Sequence, residues 1–241
     1  GWVDPRWQEE LSALLAELDD VRADDRAAVE ELAERVAALS FVAACGVPTV
    51  LWPDGLRLEL RLREPLACVH VGRHYLGVAA DATVLSGRWP APPARDTGFL
   101  PVLDLPLEGG APRRDVVPGV VLAEPAALDG LAVAVSMWRE LGPEDLTRLG
   151  RCAIDARRAR FATVEEPGVV VRLEGRRSIW FGRSPNLDEP GELPAAIKWD
   201  HVSRALELLE PDPARAQAPE GLDWDLVDVR WDEAVLHERE E

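Results

Sequence analysis

From 50 to 69 the chain reads VLWPDGLRLELRLREPLACV. Leu56, Leu58, Leu60 and Leu62 alternate with Arg57, Glu59, Arg61 and Arg63, the period of a strand with one buried and one wet face. A strand over 47–51 is its natural partner. Pro53-Asp54-Gly55 supplies the turn, proline presetting φ and glycine free to take a positive one. Two helical patterns come first. Pro5 suits a first turn, and Trp7, Leu11, Leu14, Leu15 and Leu18 share one face of a helix over 5–18. Asp24 or Asp25 caps a second helix reaching about Ala38, with Val29, Leu32, Val36 and Leu39 at helical spacing. Both apolar faces should turn inward, so two helices and a hairpin make a small α+β unit.

Short strands are expected over 66–85. Residues 86–119 are rich in proline and glycine and read as loops around an extended FLPVL. A helix over 124–141 should turn Leu128, Leu131, Val135 and Trp138 inward. Strands follow at 151–155 (RCAID), 160–164 (RFATV), 169–173 (VVVRL) and 178–182 (SIWFG), the last two joined as a hairpin by EGRR. A helix over 194–209 carries Val202, Ala205, Leu206 and Leu209 on one face. After a polar, proline-rich loop the final strand is LVDVRW, 226–231, with AVL just beyond. HEREE, 237–241, reads as a disordered charged tail. There is no internal repeat.

Composition narrows the classes. At 241 residues and 47% apolar, the chain can bury most of its apolar surface. A formal charge of −17, from 44 acidic against 27 basic residues, argues against nucleic acid as a partner, because phosphates need clustered cations. Lys198 is the only lysine. Cys45, Cys68 and Cys152 are widely spaced, with no C-x-x-C. The hairpin should set Cys45 opposite about Arg63, leaving Cys68 about 16 Å further along and out of disulfide reach. Free, mostly buried thiols are expected. No apolar run of ~18 residues occurs.

Candidate chemistry is thin. Cys68, His70 and His74, in CVHVGRH, are the best metal set, but zinc needs further ligands and none lies at pair spacing elsewhere. A buried cysteine beside surface histidines is the better reading, so no metal or cofactor is expected. Nucleophile and phosphate-loop motifs are absent. Asp19-Asp20, Asp24-Asp25 and Glu165-Glu166 fall at turns and helix starts and read as solvated caps. Of the nine tryptophans, Trp180, Trp199 and Trp224 look like core, and Trp231 stands near the end of the last strand.

The segment LSFVAACGVPTVLWPDGLRLELRLREPLACV resembles the bacterial division proteins of the FtsQ/DivIB family, in which a helix leads into a strand, a W-P-[DN] turn and a strand ending in P-x-A. Those positions are Trp52-Pro53-Asp54 and Pro65-Leu66-Ala67 here. Further on, HYLGVAADATVLSG resembles the family's L-V-D-x-x-G hairpin, FLPVL its L-P-x-L stretch, and VVVRLEGRRSIWFGR a strand pair ending in L-G. Lys198 stands where the family often has lysine at a helix start, and Asp228-Val229-Arg230-Trp231 matches its closing D-[LIV]-R-[YF] strand. The motifs are collinear over about 24–236. Leu62 and Ala82 depart from the family's Glu and Gly.

The resemblance implies an α+β fold: a POTRA-like domain of two helices on a small sheet (1–67), a larger curved mixed β-sheet domain with flanking helices (68–236), then the tail (237–241). It implies a non-enzymatic divisome scaffold. A single membrane span would precede Gly1, with this part on the extracytoplasmic side of the cytoplasmic membrane. FtsB-like and FtsL-like partners would add a strand at the last strand, through Val229, Arg230, Trp231, Ala234 and Val235. An exposed strand edge suits that mode. With Val227, Val229 and Trp231 on one face, Arg230 on the other would be free for a partner carboxylate, and Trp231 would cover a partner's apolar side chain. The alternatives are another POTRA-bearing module that binds extended peptides in transport or assembly, and a metal-dependent hydrolase.

Overall fold

The computed structural model describes residues 4–16, 24–51, 55–105, 115–187, 189–210 and 221–238. Helix α1 (Pro5–Ala16) opens on proline, whose missing N–H would be unsatisfied there anyway. It buries Trp7, which stacks on Phe41 at 5.0 Å and donates its indole N–H to Ser86 O at 2.8 Å. Leu15 is exposed, and Leu18 lies outside the described residues. In α2 (Arg26–Ala37), Asp25 is the cap, its carboxylate accepting from Ala27 N and Ala28 N at 3.1 and 3.2 Å. Val29, Leu32 and Val36 are buried, as their spacing requires.

A long ribbon follows. Strands β1 (Val42–Cys45), β2 (Thr49–Leu51), β3 (Gly55–Arg57) and β4 (Leu60–Leu62) pair as β1 with β4 and β2 with β3, both antiparallel. Gly46 N, donating to Glu59 O at 2.8 Å, joins the two pairs. Cys45 faces Leu60, not Arg63. Leu51 pairs with Gly55, not with Arg57 as the expected register requires, and a further slip occurs between Gly46 and Thr49. The Trp52-Pro53-Asp54 turn itself lies outside the described residues. Alternation holds through Arg61 and breaks at Leu62, which is exposed. There Arg63 turns inward, donating to Ser40 O at 3.0 Å and to Val42 O, and pairing with Asp81 at 2.8 Å. A bulge between Val42 and Ala44 gives it room.

Next come β5 (Pro65–Val71), β6 (His74–Ala79), the small antiparallel pair β7 (Ala94–Arg95) and β8 (Gly98–Phe99), and β9 (Val102–Leu103). Helices α3 (Pro125–Glu140) and α4 (Pro143–Leu149) precede β10 (Cys152–Asp155), β11 (Val169–Leu173) and β12 (Ser178–Gly182). Helix α5 (Ala195–Leu208), β13 (Trp224–Asp228) and β14 (Val235–Glu238) complete the chain. The architecture is α+β, with five α-helices among the described residues and one eight-stranded mixed sheet in the order β14-β13-β12-β11-β10-β9-β5-β6. The β5–β9, β9–β10 and β12–β13 pairs are parallel and the other four antiparallel.

The main core lies between α3, α5 and the sheet. Gly130 brings α3 close, since a Cβ there would stand 3.3 Å from Leu103 Cδ2. Trp199 donates to Ser136 Oγ at 2.9 Å and Trp224 to Ala205 O at 2.9 Å, so each buried indole has its polar partner. A smaller core of Trp7, Phe41, Val42, Ala79 and Leu85 joins the N-terminal helices to the end of β6.

Several expectations need correction. Residues 160–164 are not a strand: a 3₁₀ turn (Ala159–Phe161) runs into a loop. The expected helix over 124–141 turns Leu128 outward, and α4 follows it. The boundary expected at 67 falls inside β5, a strand of the large sheet. His237 and Glu238 belong to β14 rather than a tail, and 239–241 lie outside the described residues. As expected, Cys45, Cys68 and Cys152 are free thiols, the last two buried. No helix among the described residues is long and apolar enough to cross a membrane.

Candidate functional site

The two edges of the large sheet differ. Beyond β6, the chain over 83–89 returns as cover: Tyr75 bridges to Trp89 and Val78 to Val84, and Leu85 N donates to Gly77 O at 2.8 Å. Helix α1 packs on that cover through Trp7, while Asp4 pairs with Arg6, whose guanidinium lies over Trp89. At the opposite end β14 pairs with β13 and, among the described residues, with no strand beyond it. An edge of this kind exposes a row of backbone donors and acceptors.

This moves the expected docking edge. Strand β13 is sealed on both flanks, by β12 in parallel and β14 antiparallel, so 226–228 offer no edge. It also ends at Asp228, earlier than the alternation Val227, Val229, Trp231 implies. Arg230 N donates to Asp228 Oδ1 at 3.2 Å, a side-chain turn that takes the backbone out of the ladder. Val229 is buried, its N–H donating to Trp180 O at 3.2 Å.

Arg230 is not free for a partner carboxylate either. Its Nε donates to Asp228 Oδ1 at 2.8 Å and its Nη2 to Oδ2 at 2.7 Å, the bidentate fork that arginine and carboxylate geometry favour. Its Nη1 donates to Thr163 O at 2.6 Å and Glu166 O at 3.0 Å, and Nη2 also to Val164 O at 3.2 Å. The guanidinium sits between Trp180 and Trp231, 5.1 and 5.4 Å from their ring centroids. Burial favours the neutral acid at Asp228, but Arg230 and the Trp231 indole N–H, 3.0 Å from Oδ2, outweigh it and hold the carboxyl below its usual range. Arg230 therefore pins the loop over 162–167 to the end of β13.

Glycines make the approach possible. Gly168, at φ 71°, bridges to Gly182, and a Cβ on it would stand 2.4 Å from Gly182 O. Any other residue at 168 would push the loop off the sheet.

The remaining expected residues divide. Trp231 and Val235 are each 43% exposed, whereas Ala234 is half-buried against the core. Unexpected neighbours join them: Val164 at 71% and Phe161 at 68% exposed. Sequence offered one signal for this loop, the turn-forming Glu165-Glu166-Pro167-Gly168 that contradicts a strand. Beside Trp231 opens a cleft of ≈ 310 Å³ between Thr163, Arg183, Glu192 and Arg230. On its far wall Glu192 accepts from Arg183 N at 3.1 Å and pairs with the buried Lys198 ammonium.

The metal set does not assemble. Cys68 is buried with its thiol 3.7 Å from Leu100 O, and burial pushes its pKa up, keeping it protonated. His70 and His74 are exposed, the former against Tyr75. Among the described residues no group of three or more His, Cys, Asp or Glu could hold a metal ion. The chain matches no family model and no curated protein sequence.

Proposed function

We propose that the chain is the extracytoplasmic part of a division scaffold of the FtsQ/DivIB type, and that FtsB-like and FtsL-like partners dock by adding a strand to β14. One observation carries the reading: one edge of the large sheet is covered by the chain's own 83–89 segment, while β14 at the other has no strand beyond it among the described residues. The edge is flanked by the exposed Trp231 and Val235, the aromatic and aliphatic anchors that strand addition uses beside main-chain hydrogen bonds. Two helices on a small antiparallel ribbon suit the POTRA-like part, with Trp7 and Phe41 as its core. The role is non-catalytic, and the membrane anchor would precede Gly1.

Calorimetry with the extracytoplasmic segments of an FtsB-like and FtsL-like pair tests the reading. Tight binding to one site, weakened about tenfold or more by Trp231→Ala, is expected. Weak binding to many unrelated extended peptides, indifferent to Trp231, would favour the peptide-handling alternative instead.

A further inference from the structure

The N-terminal unit, α1 to β4, joins the large sheet through Arg63 and Glu64 alone, since Leu62 ends β4 and Pro65 begins β5. A joint this short is where a hinge would turn, because hinges are a few element-terminal residues that absorb a change in φ and ψ. Both residues are held instead. Arg63 N donates to Phe41 O at 2.7 Å. The Arg63 guanidinium ties Ser40 O and Val42 O, on the N-terminal side, to Asp81 just past the end of β6. Glu64 pairs with Arg95 of β7, whose guanidinium lies 4.4 Å from the ring centroid of Trp138 on α3. Pro65 follows, buried, with its φ fixed by the ring, and it restrains Glu64 to extended backbone.

A second set of contacts bridges the two parts away from the joint. Ser86 N donates to Ser40 Oγ at 2.8 Å, beside the bond from the Trp7 indole to Ser86 O. Arg6 donates to Arg88 O and lies over Trp89, which bridges to Tyr75 of β6. Gly87, at φ 117°, lets the segment come this close, since a Cβ there would stand 3.0 Å from Asp4 Oδ2. Trp7, Phe41 and Val42 share one buried core with Ala79 and Leu85. Parts that meet through a small polar interface move against each other; an apolar core common to both removes that freedom.

We infer that the N-terminal unit and the large sheet form one rigid body, locked across 63–64 by Trp7 and Arg63, so that the joint is a coupling and not a hinge. The consequence is positional. Helices α1 and α2 keep a fixed bearing to the large sheet. A partner that touches both parts meets them pre-organised, without the ordering cost of a swinging domain. The inference stands apart from strand addition at β14, and neither depends on the other.

Distances between spin labels on the full chain test this. One label is placed at Glu31→Cys on α2 and one at Arg204→Cys on α5, both exposed positions, in a Cys45→Ser background that leaves only the buried Cys68 and Cys152. A single narrow distance distribution is expected; a broad or two-peaked one without further change overturns the inference. Trp7→Ala should add a second population. So should Arg63→Met, which keeps the aliphatic stem and removes the bonds to Ser40, Val42 and Asp81. A distribution that stays single and narrow in both variants would overturn the locking role given to these residues. Circular dichroism separates a loosened joint from unfolded helices. Where a variant loses its helical signal, the Arg63 amide of the unaltered chain decides. It is expected to exchange as slowly as the paired amides of β5, and exchange much faster than theirs would show a joint that swings.

Discussion

Arg230 and Asp228, two residues apart at the end of β13, are joined by two parallel hydrogen bonds of 2.8 and 2.7 Å, with both side chains only 7% exposed. A buried pair of this kind contributes little relative to a well-packed apolar replacement, yet losing one member is costly because the other stays buried and charged. Arg230→Ala should therefore destabilise the protein by about 3 kcal/mol. It should also release the loop over 162–167, three of whose carbonyls lose their donor. Trp231→Ala should cost under about 1 kcal/mol, since the ring is partly exposed, while reducing partner affinity far more. Urea unfolding of the two variants, beside calorimetry, separates the structural role of Arg230 from the docking role proposed for Trp231.

A second ion cluster sets the acid limit. Asp155 pairs with Arg157 at 2.6 Å and Arg172 at 2.5 Å, and the two arginines also reach Asp104 at 3.4 and 2.8 Å. Burial raises the Asp155 pKa, but hydrogen bonds from Arg157 and the two positive charges outweigh it and bring it to about 2. The unfolded value is about 3.9. With the folded value depressed, the stabilisation is present in full above about pH 4 and is lost as pH falls towards 2. It amounts to about 1–2 kcal/mol, trimmed by the solvent-exposed arginines. Asp155→Asn should flatten the urea midpoint against pH across that window; an unchanged slope would contradict the pairing.

Lys198 and Glu192 should respond unequally. Burial lowers the Lys198 pKa; Glu192 raises it, while Arg230 and Arg183 press it down further. A lysine with a depressed folded pKa is a burden at neutral pH that eases as pH rises towards its unfolded range. Lys198→Met, which fills the same space without a charge, should change stability by less than about 1 kcal/mol and abolish that alkaline gain. Glu192→Ala strands the ammonium beside Phe181 and should cost about 3 kcal/mol. Equal losses in the two variants would contradict this asymmetry.

What was legible in the sequence is what short-range patterns decide. The β11–β12 hairpin, α2, α3 and α5 fall within a few residues of their expected limits, because their apolar periods match the surface they bury. Helix α4 was missed, although Pro143 at its start, Glu144 and Asp145 in the first turn and Gly150 at its end are signals for it. What could not be read depends on partners far along the chain. RFATV has the side chains of a strand, but its carbonyls are taken by Arg230, more than 60 residues away. LVDVRW alternates to its end, yet Asp228 draws Arg230 back and closes the strand early. The same fold-back commits a cation that alternation alone leaves free. Strand β14, four residues with two charged or titratable side chains, carries too little pattern to stand out from a tail, and among the described residues it is the strand at the uncovered end of the large sheet.

Backbone amide exchange at Val235–Glu238, measured with and without an FtsB-like and FtsL-like pair bound, tests strand addition at β14 most directly. Exchange slowed about tenfold or more at the amides of β14 that face away from β13 is expected, with 74–79 at the covered opposite edge unchanged. A bound partner that leaves 235–238 exchanging as in the free protein would contradict it.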